Sequence, residues 1–151
     1  MSAVVNVLGS HHIFTMLLDN KLVLAPVDRD IQVRNKLTSG VTVPETNQSA
    51  ESLDVGTGTG IWAIDFAEDY PFAEVIGTDL SPIQPSFVPP NLRFEIDDAT
   101  ETWVYPENHF DLVHVRSMYG AVALPIGLAF TRTLSSDIAR PGVLEYKANK
   151  T

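Results

Sequence analysis

The stretch Leu53–Phe66, LDVGTGTGIWAIDF, restricts the fold of this chain more than any other. An apolar run leads into Asp54. Glycines follow at alternate positions, Gly56, Gly58 and Gly60, and then a run with apolar residues at helical spacing. Glycine lets a backbone turn through left-handed conformations and lets a neighbour approach where a Cβ would stand. The helix behind it turns free N–H groups and the positive end of its dipole toward the loop. Strand, glycine turn and helix in that order form the opening unit of an alternating α/β sheet.

The rest of the chain continues the alternation. AEVIGTD reads as a second strand, SPIQPSFVPPN as a proline-rich loop and LRFEID as a third strand. DATETWVYPENH is a loop, and FDLVHVR a fourth strand with the β-branched content of central parallel strands. SMYGAVALPIGLAFTRTLSSDIA is weakly helical, broken at Pro125 and Gly127, and RPGVLEYK turns into a fifth strand. Upstream, Ser10 caps a helix expected from about His11 to Leu24, stopped by Pro26. The polar stretch Asp28–Ser52 reads as a loop or an insertion. The expected organisation is a helical segment at 1–27, a polar loop at 28–52 and an α/β domain at 53–151. Right-handed βαβ units give a parallel sheet, with the ligand site beyond the carboxyl ends of the strands.

Composition narrows the ligand. The chain of 151 residues is one domain with a net charge of −9, from 19 acids against 10 bases. Nucleic acid needs a basic face, and an anionic membrane surface attracts cations, so neither is an expected partner. There is no cysteine, which removes disulfides, thiolate catalysis and cysteine-based zinc sites. The first residues carry no basic region ahead of an apolar run, and no stretch approaches the roughly 18 apolar residues of a membrane span. The expected location is the cytoplasm or the nucleus.

Two further acids define the site. G-x-G-x-G departs from the dinucleotide pattern G-x-G-x-x-G, and the Lys-Ser/Thr pair of a P-loop is missing. Asp54 repels a pyrophosphate and suits a cationic ligand. Asp79 ends the second strand about 20 residues on, where a carboxylate accepts from both hydroxyls of a ribose. Asp98 ends the third strand, placed to accept from an adenine amino group while the Ala99 N–H donates to the ring. Asp97 is the alternative. Leu80 is placed to pack on the adenine face. An adenosine with a positively charged, amino-acid-like tail meets these demands, and that is S-adenosylmethionine.

From Leu53 to Gly120 the sequence resembles the fungal LaeA-like class I methyltransferases, related to the trans-aconitate methyltransferase-type domain. HHIFTMLLDNKLVLAPV resembles the helix that precedes that domain. The resemblance implies a Rossmann-like sheet and cofactor binding by Gly56, Gly58, Gly60, Asp79 and Asp98, with Arg116 at the methionine end; Asp54, Thr57, Leu80 and Ala99 complete the candidate cofactor site. It also implies a setting in secondary metabolism, a small-molecule or protein methyl acceptor, and a regulatory protein partner of the velvet type. Against that family the chain looks truncated at its C-terminus. About five parallel strands are expected, the last exposed as an edge that invites pairing or needs a partner.

Other candidates have plainer readings. His11 and His12 are adjacent and face different sides of a helix, which suits surface and packing rather than a metal, although the resemblance lets this helix lie over the cofactor. His109 and His114 read as structural, and Trp62, Trp103, Tyr105 and Phe110 as core. No catalytic residue is named, because methyl transfer needs no protein nucleophile. A non-catalytic module acting through a protein partner is the competing reading. A nicotinamide-dependent oxidoreductase is disfavoured by the missing third-glycine spacing.

Overall fold

The computed structural model describes residues 11–25, 50–102, 104–106, 109–118, 138–140 and 143–147. After a short helix at 11–17 (α1) come β1 (Glu51–Val55), α2 (Ile61–Asp69), β2 (Glu74–Asp79), β3 (Leu92–Ile96), β4 (Leu112–Arg116), β5 (Ile138–Arg140) and β6 (Val143–Lys147). They form one sheet in the order β3-β2-β1-β4-β6-β5. β1, β2, β3 and β4 are mutually parallel, so the chain is α/β with an incomplete Rossmann-like sheet, as the sequence implies.

Strand alternation sorts the side chains into two layers. Val75, Leu92 and Leu112 join Trp62, Ala63, Phe66 and Ala67 of α2, together with Ala25, Ala50 and Ala73. Leu53, Val55, Ile76, Val113 and Val115 point the other way and pack with Phe110, Ala99, Tyr105 and Met118. The i, i+1, i+4, i+5 spacing of the buried α2 residues gives that helix its inward face. It ends at Tyr70, before Pro71. There the Asn91 amide donates to the carbonyls of Ala67, Tyr70 and Ala73, at 3.1, 3.2 and 2.9 Å. The Ala67 carbonyl is one that a helix end leaves without an intrahelical partner, and the other two belong to the turn that leads into β2.

Three expectations change. The N-terminal helix stops at residue 17 rather than near Leu24, because Asp19 and Asn20 adopt φ of 55° and 58°. Asp and Asn are the non-glycine residues that enter this region most readily. Glu51 and Ser52, read as the end of the polar loop, belong to β1. The fifth strand of the sequence reading is β6. It runs antiparallel to β4 and is covered by β5, so it is neither parallel nor the sheet edge. Only residues 141 and 142 separate β5 from β6, and so short a connection returns the chain antiparallel. The expected cap Ser10, nearly all of the polar loop, Trp103 and residues 119–137 of the stretch read as weakly helical lie outside the described residues, while the end of that stretch, Ile138 and Ala139, is strand β5 rather than helix.

Candidate functional site

Because β1 to β4 are parallel, their carboxyl ends bring Asp54, Asp79, Asp98 and Arg116 to one edge of the sheet. The glycine loop forms its centre. Gly56, Gly58 and Gly60 have φ of 68°, 59° and 81°, values L side chains rarely adopt. A Cβ on Gly56 would strike the Met118 thioether, and one on Gly60 the Phe94 ring. At these two positions the bare backbone admits protein side chains, a role that the sequence reading gave to ligand approach. Ser117 enters the left-handed region, φ 59°, just before Met118 reaches Gly56.

Carboxylates brace the loop. Thr57 donates its hydroxyl to Asp54 Oδ2 at 2.6 Å and its N–H to the Thr78 carbonyl at 2.9 Å. Asp54 is buried beneath the loop, 3% exposed. Burial raises its pKa, while His114, the Thr57 hydroxyl and Arg116 pull it back. Asp79 Oδ2 accepts from the Gly58 N–H at 2.8 Å, and Oδ1 from the Ser81 N–H at 2.9 Å. Gln84, from the proline-rich loop, donates to the carbonyls of Gly58 and Ser81 at 2.7 and 2.9 Å. No sequence signal pointed to Gln84, since its partners are carbonyls and carry no residue code.

The β3 end is more open. Asp98 Oδ1 accepts the Thr100 N–H and hydroxyl, at 2.9 and 2.7 Å. The hydroxyl bond, then the backbone one, hold its pKa down. Ala99 leans on the second core layer. Leu80 is 64% exposed, next to Asp79.

At the β4 end, Arg116 Nη2 lies 2.9 Å from His11 Nδ1, and its guanidinium sits over the Phe14 ring at 5.3 Å. His11 Nε2 lies 3.0 Å from Asp65 Oδ2. The short helix α1 is thereby fixed between α2 and β4 at the site edge. Sequence reasoning considered His11 for surface, packing or metal and let its helix lie over the cofactor, but did not pair it with Arg116 or Asp65. His12 is exposed. His114 stacks on Trp62 with ring centroids 3.8 Å apart and planes 2° apart, in the core as read. Phe110 is likewise buried. His109 pairs with Glu51 at 3.2 Å, away from this edge.

These groups fit S-adenosylmethionine. The Asp79 oxygens each accept one backbone bond, and a carboxylate oxygen has room for a second. The first turn of α2 has no side-chain cap and no acid. The Thr59 hydroxyl, inside the glycine loop, is shielded from solvent and finds no hydrogen-bond partner among the described residues. Arg116 supplies a cation for a carboxylate. A groove of about 410 Å³ lined by Pro71, Phe72, Asn91 and Arg93 lies at the opposite end of the strands. Among the described residues no group of three or more His, Asp or Glu side chains is placed to hold a metal, and no helix is long and apolar enough to cross a membrane.

Known proteins agree with this architecture. A family model described as a methyltransferase domain matches residues 29–145. The chain belongs to that family. Among curated relatives of this methyltransferase-domain chain, the methyltransferase pytC of Aspergillus terreus is 40% identical over 113 residues, 74% of this chain and 29% of that protein. The secondary metabolism regulator LAE1 of Cochliobolus heterostrophus is 46% identical over 90 residues, 59% of this chain and 29% of its own. The secondary metabolism regulator laeA of Aspergillus flavus is 41% identical over 88 residues, 58% and 24%. The chain thus spans less than a third of these relatives. No solved structure gives a significant match.

Proposed function

We propose that this chain binds S-adenosylmethionine and serves a methyltransferase of fungal secondary metabolism, in the cytoplasm or nucleus. The observation that carries this reading is Asp79. It closes β2 beside the glycine loop and keeps acceptor capacity for the ribose hydroxyls while bonding Gly58 and Ser81. Asp98 and the Ala99 N–H would read the adenine, Leu80 would cover its face, and Arg116 would meet the carboxylate of the methionine part. When bound, the cofactor supplies a sulfonium methyl open to in-line displacement. The protein's part is to bind, orient and exclude water, because rate comes mainly from holding methyl and acceptor in line. The acceptor is a small molecule or a protein.

Calorimetric titration with S-adenosylhomocysteine tests the reading. Micromolar binding that Asp79→Ala abolishes supports it; no binding by a chain folded by circular dichroism overturns it.

A second reading is a non-catalytic module that acts through a regulatory protein partner. The exposed apolar residues Leu80, Ile83, Phe87 and Ile96, with Phe87 at 95%, favour it. Transfer of a labelled methyl group to an acceptor decides for the enzyme. Cofactor binding without turnover decides for the module.

A further inference from the structure

The His11 ring sits between two groups of fixed hydrogen-bonding character. Arg116 only donates, so the Nδ1 that faces it at 2.9 Å must be the accepting, unprotonated nitrogen. The Asp65 carboxylate accepts, so the Nε2 that faces it at 3.0 Å carries the proton. The His11 side chain is 9% exposed. Its neutral Nε2–H tautomer is set by partners on two other elements, α2 and β4. The residue lies outside the stretch 29–145 matched by the family model.

We propose that His11 is a positioning residue: its neutral ring, oriented by Asp65, holds the Arg116 guanidinium at the site edge to receive the carboxylate of the cofactor. This rests on the S-adenosylmethionine reading above. Arginine on a flexible stem loses entropy when it is fixed, and a receptor already fixed binds more tightly. Phe14 supports the same guanidinium from the same helix. α1 therefore acts as a bracket for the methionine end of the site.

The arrangement works only while the ring is neutral. An imidazolium has no acceptor at Nδ1 and repels the guanidinium it faced. The charged or titratable groups around the ring are Asp65 from α2 with Arg116 and His114 from β4; its own helix adds the Thr15 hydroxyl, 3.4 Å from Nε2. Asp54 of β1 acts on Arg116 and His114 from below. Burial, then Arg116, push the His11 pKa below its ordinary 6.5, with Asp65 opposing. The ring is neutral at pH 7 and titrates on the acid side.

The test is titration with S-adenosylhomocysteine between about pH 5 and 8 on wild type, His11→Gln, His11→Ala and Asp79→Ala, each checked by circular dichroism. Wild type should lose affinity about tenfold as His11 is protonated, the scale of one charge-assisted bond. His11→Gln offers an acceptor to Arg116 and a donor to Asp65. It should keep neutral-pH affinity and lose the acid-side fall, although Asp54 is still present. His11→Ala should bind about tenfold more weakly at neutral pH. In the free protein, imidazole ¹⁵N shifts should report the Nε2–H tautomer. Wild-type affinity that stays constant while the imidazole ¹⁵N shifts report protonation of His11, a full acid-side fall in His11→Gln, or an Nδ1–H tautomer overturns the proposal. If Asp79→Ala abolishes binding while the His11 variants titrate like wild type, the cofactor reading stands and the role of His11 falls. If folded wild type does not bind, both fall. Should His11→Ala not fold, the wild-type and His11→Gln profiles decide.

Discussion

At the amino end of the parallel strands, Asn91 spends its amide on three carbonyls, and Phe66 lies fully buried between Trp62 and Tyr70. At the carboxyl end, Asp79, Asp98 and Arg116 are braced from one side and open on the other, on a backbone that enters the left-handed region at Gly56, Gly58, Gly60 and Ser117. At the first end the Asn91 amide is fully spent. The other holds polar capacity in reserve and, at Ser117, tolerates a backbone conformation that costs energy, as binding sites do. The difference teaches where stability and affinity should separate under mutation.

The strongest test of that separation is Phe66→Ala. It should cost about 3–5 kcal/mol in denaturant unfolding, as large-to-small core changes do, yet leave cofactor affinity of the folded fraction unchanged. Gly60→Ala comes next. Its Cβ meets the Phe94 ring at a φ of 81°, so about 1–3 kcal/mol should be lost. Because the strain falls in the loop, affinity should fall as well. Asn91→Ala should cost about 1–3 kcal/mol through carbonyls left unsatisfied and should not touch affinity. An affinity change there would break the comparison.

Two smaller effects sharpen it. Asp54 has its folded pKa raised above the unfolded value of 3.8. Its contribution to stability is therefore full below that value and is lost as pH rises through the folded pKa. Wild type should lose stability relative to Asp54→Asn over that rise. A constant difference across the pH range, read by chemical denaturation, would refute the sign. Asp98→Asn should leave the thermal midpoint where it is and weaken S-adenosylhomocysteine binding several-fold, since its carboxylate faces solvent and only its own turn.

The β1–α2–β2 unit was legible because its signals are local: an apolar run, glycines at fixed spacing and buried residues at i, i+1, i+4, i+5. Asp79 and Asp98 could be placed for the same reason, being the residues at or just past strand ends. Strand direction was not legible in VLEYK, because an apolar alternation reads the same either way; the short connection to β5 decided it. Gly56 and Gly60 were recognised as obligatory, but their neighbours were not. Met118 and Phe94 reach them across the fold, and nothing in the loop sequence names them. The partners of His11 were invisible for a similar reason. Its meaning comes from Asp65 and Arg116, and a helical His-His pair gives no hint of either.

The link between His11 and Arg116 joins residues 105 apart in sequence. Boundaries drawn around the family match at 29–145 would cut it. A domain begun at residue 29 would retain every described strand, every glycine of the loop and all three edge acids. It would still lose the imidazole between Asp65 and Arg116, the Phe14 ring under the guanidinium, and the Leu22 carbonyl that accepts from Trp62. Expression of this chain from a family-defined start would therefore yield a domain that is complete by topology and deficient in one corner of its site.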